Sequence, residues 1–332
     1  MLLTVALADA AVGAGAAPAA TDPLVEAREA RSWLSRMHDA TGQRNFLGTF
    51  VVSAGGAVYS SRIAHYCDGA NQYERIEPLD GLKRQVYRHN DQVVSVWPHN
   101  RVAVRETRQL MGQFPSLLSS GVGRIVEHYQ VRPLGEARVA GYEAQVLLLT
   151  PRDGYRFGHR LWAEKGSGLL LRAEVLDEHE VVLEASAFSE LLIGVKPQPE
   201  LVARAMKQLD GYRVERPLLE TTELGAEGWS LRGAPAGFES VSSVRRAGVS
   251  GDGPQAVSAP GSVLQAIYSD GLTHVSVFIE PFQAALHRRE SMMSMGATQT
   301  LMRRQGDWWI TVVGDVPVAT LRSFAFGLER QR

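Results

Sequence analysis

Apolar and polar residues alternate with a period of two from about residue 45 to residue 193, and close turn signals interrupt the alternation. In "NFLGTFVV", for example, Phe46, Gly48, Phe50 and Val52 fall on one side of the strand. Only antiparallel strands can be joined by such tight turns, so the pattern predicts antiparallel meanders. About ten strongly twisted strands in one sheet tend to curl toward a barrel. The turn signals in the first half are Gly55-Gly56, Asp68-Gly69, Asp80-Gly81 and Asn90-Asp91.

Two segments have helical periodicity: "DPLVEAREARSWLSRMHDATG" precedes these strands, and the region 108–130 interrupts them between two meanders. They are the segments available to cover the concave side of the sheet. The sequence therefore predicts an α+β fold whose first part is a large antiparallel half-β-barrel covered by helices. Side chains between sheet and helices form either an ordinary core or a pocket for an acyl chain, and the pattern leaves both open. The predicted lining residues are Phe50, Val52, Val94, Leu117, Leu118, Val146, Leu148, Trp162 and Leu170.

The length of 332 residues suggests two domains, because domains usually contain roughly 100 to 200 residues. A Pro-, Glu- and Gly-containing segment at 211–228 is the predicted linker. It separates a first domain at 24–210 from a smaller α+β domain at 229–330.

The first twenty residues, "MLLTVALADAAVGAGAAPAA", are apolar and rich in Ala, with several Ala-x-Ala sites. They resemble the apolar region and cleavage zone of a secretory signal peptide, although the usual basic start is missing. The alternative is an Ala-rich tail without structure. We expect an exported, periplasmic protein with a leader at 1–20 and no transmembrane span.

Charge and cysteine content exclude several classes of protein. The chain has 35 basic and 36 acidic residues, which removes the positive surplus expected of a general nucleic-acid binder. The adjacent pair Arg245-Arg246 is either a site for acidic groups or simply solvated. Cys67 is the single cysteine, so no intramolecular disulfide and no Cys-based zinc site can form.

Motifs of the common enzyme classes are missing. There is no His-Glu-x-x-His, no Gly-x-Ser-x-Gly elbow and no P-loop. The segment "IYSDGLTHVSVFIEP" at 267–281 contains an acid and a histidine, but Asp270-Gly271 is explained as a turn. His274 and Glu280 share a strand face about 20 Å apart, too far for a proton relay. We therefore expect neither enzyme activity nor a cofactor.

Several longer strings resemble the MucB/RseB family of periplasmic regulators of the sigma-E envelope-stress response. They extend over nearly the whole chain after the leader and follow one another in the family's order. The strings are "GTFV" at 48–51, "LDGLKRQVYR" at 79–88, "ARVAGYEAQVLLLTPRDGYRFGHRLW" at 137–162, "APAGFE" at 234–239, "YSDGLTHVSVFIEP" at 268–281 and "TVVGDVP" at 311–317.

The resemblance implies a half-barrel similar to lipoprotein carriers, joined by a linker to a smaller domain. It also implies a partner, the periplasmic domain of a membrane-anchored anti-sigma factor like RseA or MucA, which the protein protects from proteolysis. Lipid or lipopolysaccharide is implied as the ligand that releases the anti-sigma factor. Family members are not enzymes. Whether this chain forms homo-oligomers stays open.

Three functions are compatible with these sequence features. The first is a regulator that binds an anti-sigma factor through the second domain and the groove between domains. The second is a periplasmic lipid or lipoprotein carrier that uses the same cavity, and the third is an unrecognised hydrolase. Exposed strands and aromatic anchors suit partner binding. The predicted partner-binding residues are Tyr268, Asp270, Leu272, Phe278 and Glu280, with Arg245 and Arg246.

Overall fold

The structure, a computed structural model, describes residues 23–107, 114–118, 122–250 and 257–331. The predicted leader at 1–20 lies outside this range. The helices of the described part are α1 (Pro23–Gln43), α2 (Val122–His128), α3 (Pro199–Lys207) and α4 (Val318–Gly327). None of these helices has the length and apolar character needed to span a bilayer.

The strands fall into a long first series and a shorter second one. The first series is β1 (Phe46–Ala54), β2 (Ala57–Asp68), β3 (Asn71–Pro78), β4 (Gln85–His89), β5 (Gln92–Trp97), β6 (Val102–Thr107), β7 (Tyr129–Val139), β8 (Tyr142–Pro151), β9 (Gly158–Glu164), β10 (Leu170–Leu176), β11 (Val182–Ile193) and β12 (Arg213–Glu215). The second series is β13 (Leu219–Thr221), β14 (Trp229–Leu231), β15 (Glu239–Ser250), β16 (Val257–Ser269), β17 (His274–Pro281), β18 (Ser291–Met295), β19 (Thr298–Gln305), β20 (Trp308–Gly314) and β21 (Leu328–Arg330).

The largest sheet joins two meanders in the order β12-β6-β5-β4-β3-β2-β1-β11-β10-β9-β8-β7. Strands β1 to β6 pair in sequence, as do β7 to β11, and the pairing of β1 with β11 makes one sheet of the two. All its pairs are antiparallel except the short β12, which runs parallel to β6. The predicted fold class, a large open antiparallel sheet with helices and a smaller second sheet domain, is confirmed.

Helices α1 and α3 pack on separate parts of this sheet. Leu34 and Met37 of α1 share an apolar cluster with Leu147 and Leu161 of β8 and β9. In α3, Val202 and Met206 contribute to another cluster, with residues of β2, β4 and β5. Each helix therefore buries its apolar stripe against strands that are far away in sequence.

The segment predicted as a linker is more ordered than the sequence indicates. Within 211–228, β12 adds to the edge of the large sheet and β13 adds to β15 of the second sheet. Edge strands present unpaired backbone groups that such short segments can satisfy. The linker at 211–228 and the domain boundary stay predictions.

The second sheet has the order β13-β15-β16-β17-β20-β19-β18, and α4 covers one of its faces. Val275, Val277 and Ile279 alternate along β17 toward that face and pack in one cluster with Leu321 and Phe324 of α4. The final helix thus buries the apolar side of the strand, and the intervening residues of β17 lie on the opposite, open face.

The two parts of the chain contact each other at one end of the second sheet. Leu272, from the turn between β16 and β17, belongs to the apolar cluster of α1, β8 and β9. Thr320 at the start of α4 donates a hydrogen bond to the carbonyl of Tyr155 at 2.6 Å. Arg124 of α2 pairs with Glu239 at 2.6 Å. The β16–β17 turn, the start of α4 and the start of β15 thus all contact the first part of the chain.

Candidate interdomain binding site

The turn 269–273 is built around the side chain of Asp270. Its Oδ1 accepts hydrogen bonds from the backbone N–H of Leu272 at 3.0 Å and of Thr273 at 2.9 Å. Ser269 Oγ donates to the carbonyl of Thr273 at 2.7 Å. Short polar side chains commonly stabilise turns in this way. The predicted turn is therefore rigid, and it holds the second carboxylate oxygen of Asp270 in one direction.

That second oxygen forms a buried ion pair with the first domain. Asp270 Oδ2 accepts from Arg156 Nε at 2.7 Å and from the Tyr129 hydroxyl at 3.2 Å. Both charged side chains are fully inaccessible to solvent. Burial, followed by the charge of Asp270, raises the pKa of Tyr129 well above its ordinary value, so the hydroxyl remains a donor.

Arg156 also holds the loop before β15. Its guanidinium lies 4.8 Å from the centroid of the Phe238 ring and donates to the carbonyl of Ala236. The same group pairs with Asp153 on its own side of the interface. One side chain thus contacts two separate segments of the second domain. Arginine suits this role because its planar fork donates in several directions and stacks on aromatic faces.

A cleft of about 540 Å³ lies beside Arg156, with walls from both domains. This volume is in the range of ligand pockets. Its apolar lining residues are Leu148, Leu149, Pro151, Phe157, Leu176, Leu183, Pro317 and Val318, and its acidic ones are Asp153, Asp177, Glu178 and Glu180. Apolar walls with acidic groups suit a segment that carries both apolar and basic side chains.

Titratable groups with altered pKa values surround Asp315 near this cleft. Burial, and then the charge of Asp315, raises the pKa of Glu184 to about 7. Burial lowers the pKa of His159 to about 4, against the opposing charges of Asp270 and Asp315. Burial likewise lowers the pKa of His274. Burial therefore favours the neutral forms of His159 and His274.

The open face of the second sheet brings together three of the predicted partner-binding residues. The guanidinium of Arg246 lies 5.3 Å from the centroid of the Phe278 ring. Glu280, two residues further along β17, is 3.5 Å from His287. Phe278 and Glu280 are each partly exposed. We call Arg246, Phe278 and Glu280 the open-face patch.

The other predicted partner-binding residues lie elsewhere. Tyr268 is buried on the α4 side, with its ring 5.1 Å from Phe324, and Asp270 and Leu272 are buried between the domains. Arg245 pairs with Leu264, so it points to the opposite face from Arg246 and contacts Glu227. In this arrangement Tyr268, Asp270 and Leu272 are inaccessible to a partner, because they are used within the chain.

The predicted cavity residues are distributed over several clusters. Leu118 and Leu170 pack in the cluster of α1 with Leu117 close by. Phe50, Val146 and Trp162 belong to a second cluster that Val52 adjoins, and Val94 belongs to the cluster of α3. Leu148 lines the cleft between domains. The expectation that all nine line one acyl pocket stays a prediction.

Arg156 and Tyr129 are the residues of this site that the sequence did not indicate. Arg156 stands inside the quoted string at 137–162, but its partner Asp270 follows 114 residues later. A pattern within one strand carries no information about a contact at such a distance. Arg156, Tyr129 and Asp270 together form a buried polar contact between the two domains.

Comparison with known proteins agrees with this architecture. Residues 29–207 match the MucB/RseB N-terminal domain, and residues 223–329 match the MucB/RseB C-terminal domain. The sigma factor AlgU regulatory protein MucB of Pseudomonas aeruginosa is 32% identical over 316 residues, which are 92% of this chain and 93% of MucB. The sigma-E factor regulatory protein RseB of Salmonella typhimurium is 25% identical over 298 residues, 89% of each chain.

Solved structures of MucB are similar over the same extent. The crystal structure of MucB in complex with periplasmic MucA has a TM-score of 0.67 and 27% identity, and covers 91% of this chain and 99% of that chain. The crystal structure of MucB alone has a TM-score of 0.65 and 25% identity, with coverage of 92% and 98%. Because the two domain matches follow one another and the first alone spans more than half of the sequence, this chain belongs to the MucB/RseB family.

Proposed function

We propose that this protein is a periplasmic regulator of an envelope-stress sigma factor. It binds the periplasmic domain of a membrane-anchored anti-sigma factor and protects that domain from proteolysis. Lipid or lipopolysaccharide acyl chains release the anti-sigma factor. The proposal assigns the protein a binding role and no catalytic one.

The observation that carries the proposal is the similarity to MucB bound to periplasmic MucA, at a TM-score of 0.67 over 91% of this chain. The similarity extends over both domains. A partner that binds a surface made by two domains senses their relative arrangement, because moving one domain changes the surface.

The open-face patch is proposed as the main contact with the anti-sigma factor. Phe278 offers an aromatic ring that is not used in the α4 core, and Arg246 lies over that ring. Aromatic and Arg side chains dominate binding energies at protein interfaces. The cleft beside Arg156 supplies a second contact, since its acidic and apolar walls suit a peptide with basic and apolar side chains.

The acyl ligand is proposed to enter the first domain between the sheet and α1. Phe50 and Leu118 are buried there, while Val52 and Leu117 are partly accessible. Each methylene buried contributes about 0.8 kcal/mol, so a chain of ordinary length supplies enough differential affinity to change the domain arrangement. Rapid transfer of acylated cargo between membranes, without anti-sigma binding, would instead identify the protein as a carrier.

Isothermal titration of the protein with the cognate anti-sigma periplasmic domain tests the proposal. We expect micromolar or tighter binding, and Phe278→Ala should weaken it at least tenfold, about 1.4 kcal/mol. The thermal melt should change little, because Phe278 lies outside the α4 core.

Arg245→Ala is the matched control, since Arg245 is adjacent to the patch in sequence but points to the other face. It should leave the affinity within about twofold, as expected for a residue outside the interface. Absence of binding by the unmodified protein would refute the function. Equal losses in Phe278→Ala and Arg245→Ala would refute the assignment of the patch.

A further inference from the structure

A row of charged side chains crosses three neighbouring strands of the large sheet. His65 of β2 faces Glu74 of β3, and Glu74 faces Arg88 of β4. All three are buried, with exposed fractions of 0%, 6% and 6%. Cys67 lies on the same side of β2 as His65, two residues further along, and is partly exposed.

The distances connect the four side chains into one array. Glu74 Oε1 is 2.7 Å from His65 Nδ1, and Glu74 Oε2 accepts from Arg88 Nε at 2.8 Å. The other ring nitrogen, His65 Nε2, is 3.2 Å from Cys67 Sγ. Phe46 stacks on the imidazole with the ring centroids 4.9 Å apart, which fixes the plane of the ring. A nucleophile, a nitrogen base and an orienting carboxylate therefore stand in line.

Contacts within the array shift the pKa values of His65 and Glu74 toward their charged forms. Burial alone would lower the pKa of His65, but hydrogen bonds with Cys67 and Glu74 and the charge of Glu74 outweigh it and raise that pKa to about 9. Burial would raise the pKa of Glu74, yet His65 and Arg88 bring it to about 2.

The imidazole of His65 lies close enough to the Cys67 sulfur to take the thiol proton and to stabilise the thiolate that results. A backbone hydrogen bond from Cys67 to Asn45 Oδ1 at 2.7 Å holds the residue in place.

We propose that Cys67 is a reactive thiol that undergoes exchange with small-molecule disulfides. The sulfur of Cys67 attacks one sulfur of the reagent, whose S–S bond breaks as a new S–S bond to Cys67 forms. The proton that left Cys67 resides on His65 beforehand, and the departing thiolate takes up a proton from solvent or from His65. One half of the reagent is reduced to a thiol and Cys67 is oxidised to a mixed disulfide. The proposal is independent of the anti-sigma function.

The rate of reaction with dithionitrobenzoate between about pH 6 and pH 8.5 tests the proposal. When the pH is lowered from 8.5 to 6, the thiolate fraction of an ordinary thiol falls more than about a hundredfold. We expect the rate of Cys67 to fall less than about tenfold, because the imidazole of His65, 3.2 Å from the sulfur, stabilises the attacking thiolate. Cys67→Ser should abolish the reaction, and incubation with glutathione disulfide at neutral pH should add a single glutathione in the intact mass. A rate that falls like that of an ordinary thiol would overturn the proposal.

A second measurement uses the same Cys67→Ser variant as its reference. The ultraviolet absorbance of the thiolate, taken as the difference between the unmodified protein and Cys67→Ser, should be present at about pH 6.5, two pH units below the ordinary thiol pKa. Its appearance only above about pH 8 would equally reject the charged sulfur.

The variant Glu74→Gln tests whether the array causes the weak pH dependence of the Cys67 reaction. It removes the carboxylate that keeps His65 charged, so the variant should regain the pH dependence of an ordinary thiol. Glu77→Gln is the matched control, because Glu77 lies on the same strand but pairs with the partly exposed Arg75. It should react as the unmodified protein does. If Glu74→Gln does not fold, the rate and absorbance of the unmodified protein still decide.

Discussion

Arg156 and Asp270 form an ion pair that is fully removed from water and lies between the two domains. Desolvating two charges costs several kcal/mol each, and their attraction offsets this only when the geometry is good. Separation of the domains would return both groups to water. We infer that the pair specifies one arrangement of the domains more than it increases the strength of their contact.

Removal of one partner of this pair should be costly. We expect Asp270→Asn to reduce the free energy of unfolding by about 3 kcal/mol, since it leaves Arg156 buried with insufficient negative charge. Chemical denaturation measures the effect. Glu77→Gln, which breaks the partly exposed pair with Arg75, should cost at most about 1 kcal/mol. Similar losses of unfolding free energy in the two variants would contradict the expectation that breaking the buried pair is more destabilising than breaking the partly exposed one.

The loop between β14 and β15 approaches the first domain at a glycine. Gly237 has a φ of +87°, and a Cβ atom at this position would lie 2.0 Å from His128 Nε2. His128 is the last residue of α2, so the loop touches the helix end directly. Any larger residue would have to displace the imidazole as well as adopt an unfavourable backbone conformation.

Gly237→Ala should therefore destabilise the protein more than the same change nearby. Gly233→Ala is the control, because Gly233 has a φ of +70° but open space around its Cβ position. We expect Gly233→Ala to lower the free energy of unfolding by about 1 kcal/mol through backbone strain alone, and Gly237→Ala to lower it by at least about 2 kcal/mol. Thermal melts of both variants check this. Equal melting temperatures would show that His128 moves aside freely.

At the scale of the whole molecule, Leu272 joins two hydrophobic cores. It projects from the second domain and is 3% exposed within the cluster of α1, β8 and β9. Its removal from that cluster requires the domains to separate. A partner or ligand that binds the separated arrangement better would shift the population toward it, by an amount set by its differential affinity.

Leu272→Asp should loosen the docking of the domains while each remains folded. A buried carboxylate in an apolar cluster is unfavourable, and separation of the domains returns it to water. We expect small-angle X-ray scattering to show a radius of gyration several ångströms above the value of about 20 Å for a compact body of this length.

The far-ultraviolet circular dichroism of Leu272→Asp should be retained, which distinguishes loosened docking from unfolding. Leu286→Asp is the control, since Leu286 is 46% exposed and its substitution should leave the scattering unchanged. A compact Leu272→Asp protein would show that the other interdomain contacts are sufficient.

Local patterns in the sequence predicted most of the strands and turns correctly. The period of two and the turn residues are properties of a few neighbouring residues, and antiparallel hairpins pair those same neighbours. The turn at Gly69 even determines that His65 faces Glu74, although the sequence analysis did not draw this pair. The pairing of β1 with β11 has no such local signal, because 127 residues separate the ends of these strands.

For the predicted partner-binding residues, too, local patterns predicted the face of the strand but not the contacts between distant segments. The alternation in β17 placed Phe278 and Glu280 together on one face, and the structure agrees. It did not show that Asp270 and Leu272 enter the first domain, because that depends on how two folded units dock.

The sequence by itself thus determined the α+β class, most of the strands and turns, the family and the Asp270 turn. Each of these depends on local alternation, turn chemistry or the order of motifs along the chain. Only the tertiary structure decided that Asp270 meets Arg156, that Arg245 and Arg246 serve different faces, and that Cys67 joins a buried row of charges. Those contacts depend on which strands become neighbours. The pKa values of the groups depend on how deeply each one is buried, and both properties follow from the packing of the whole chain.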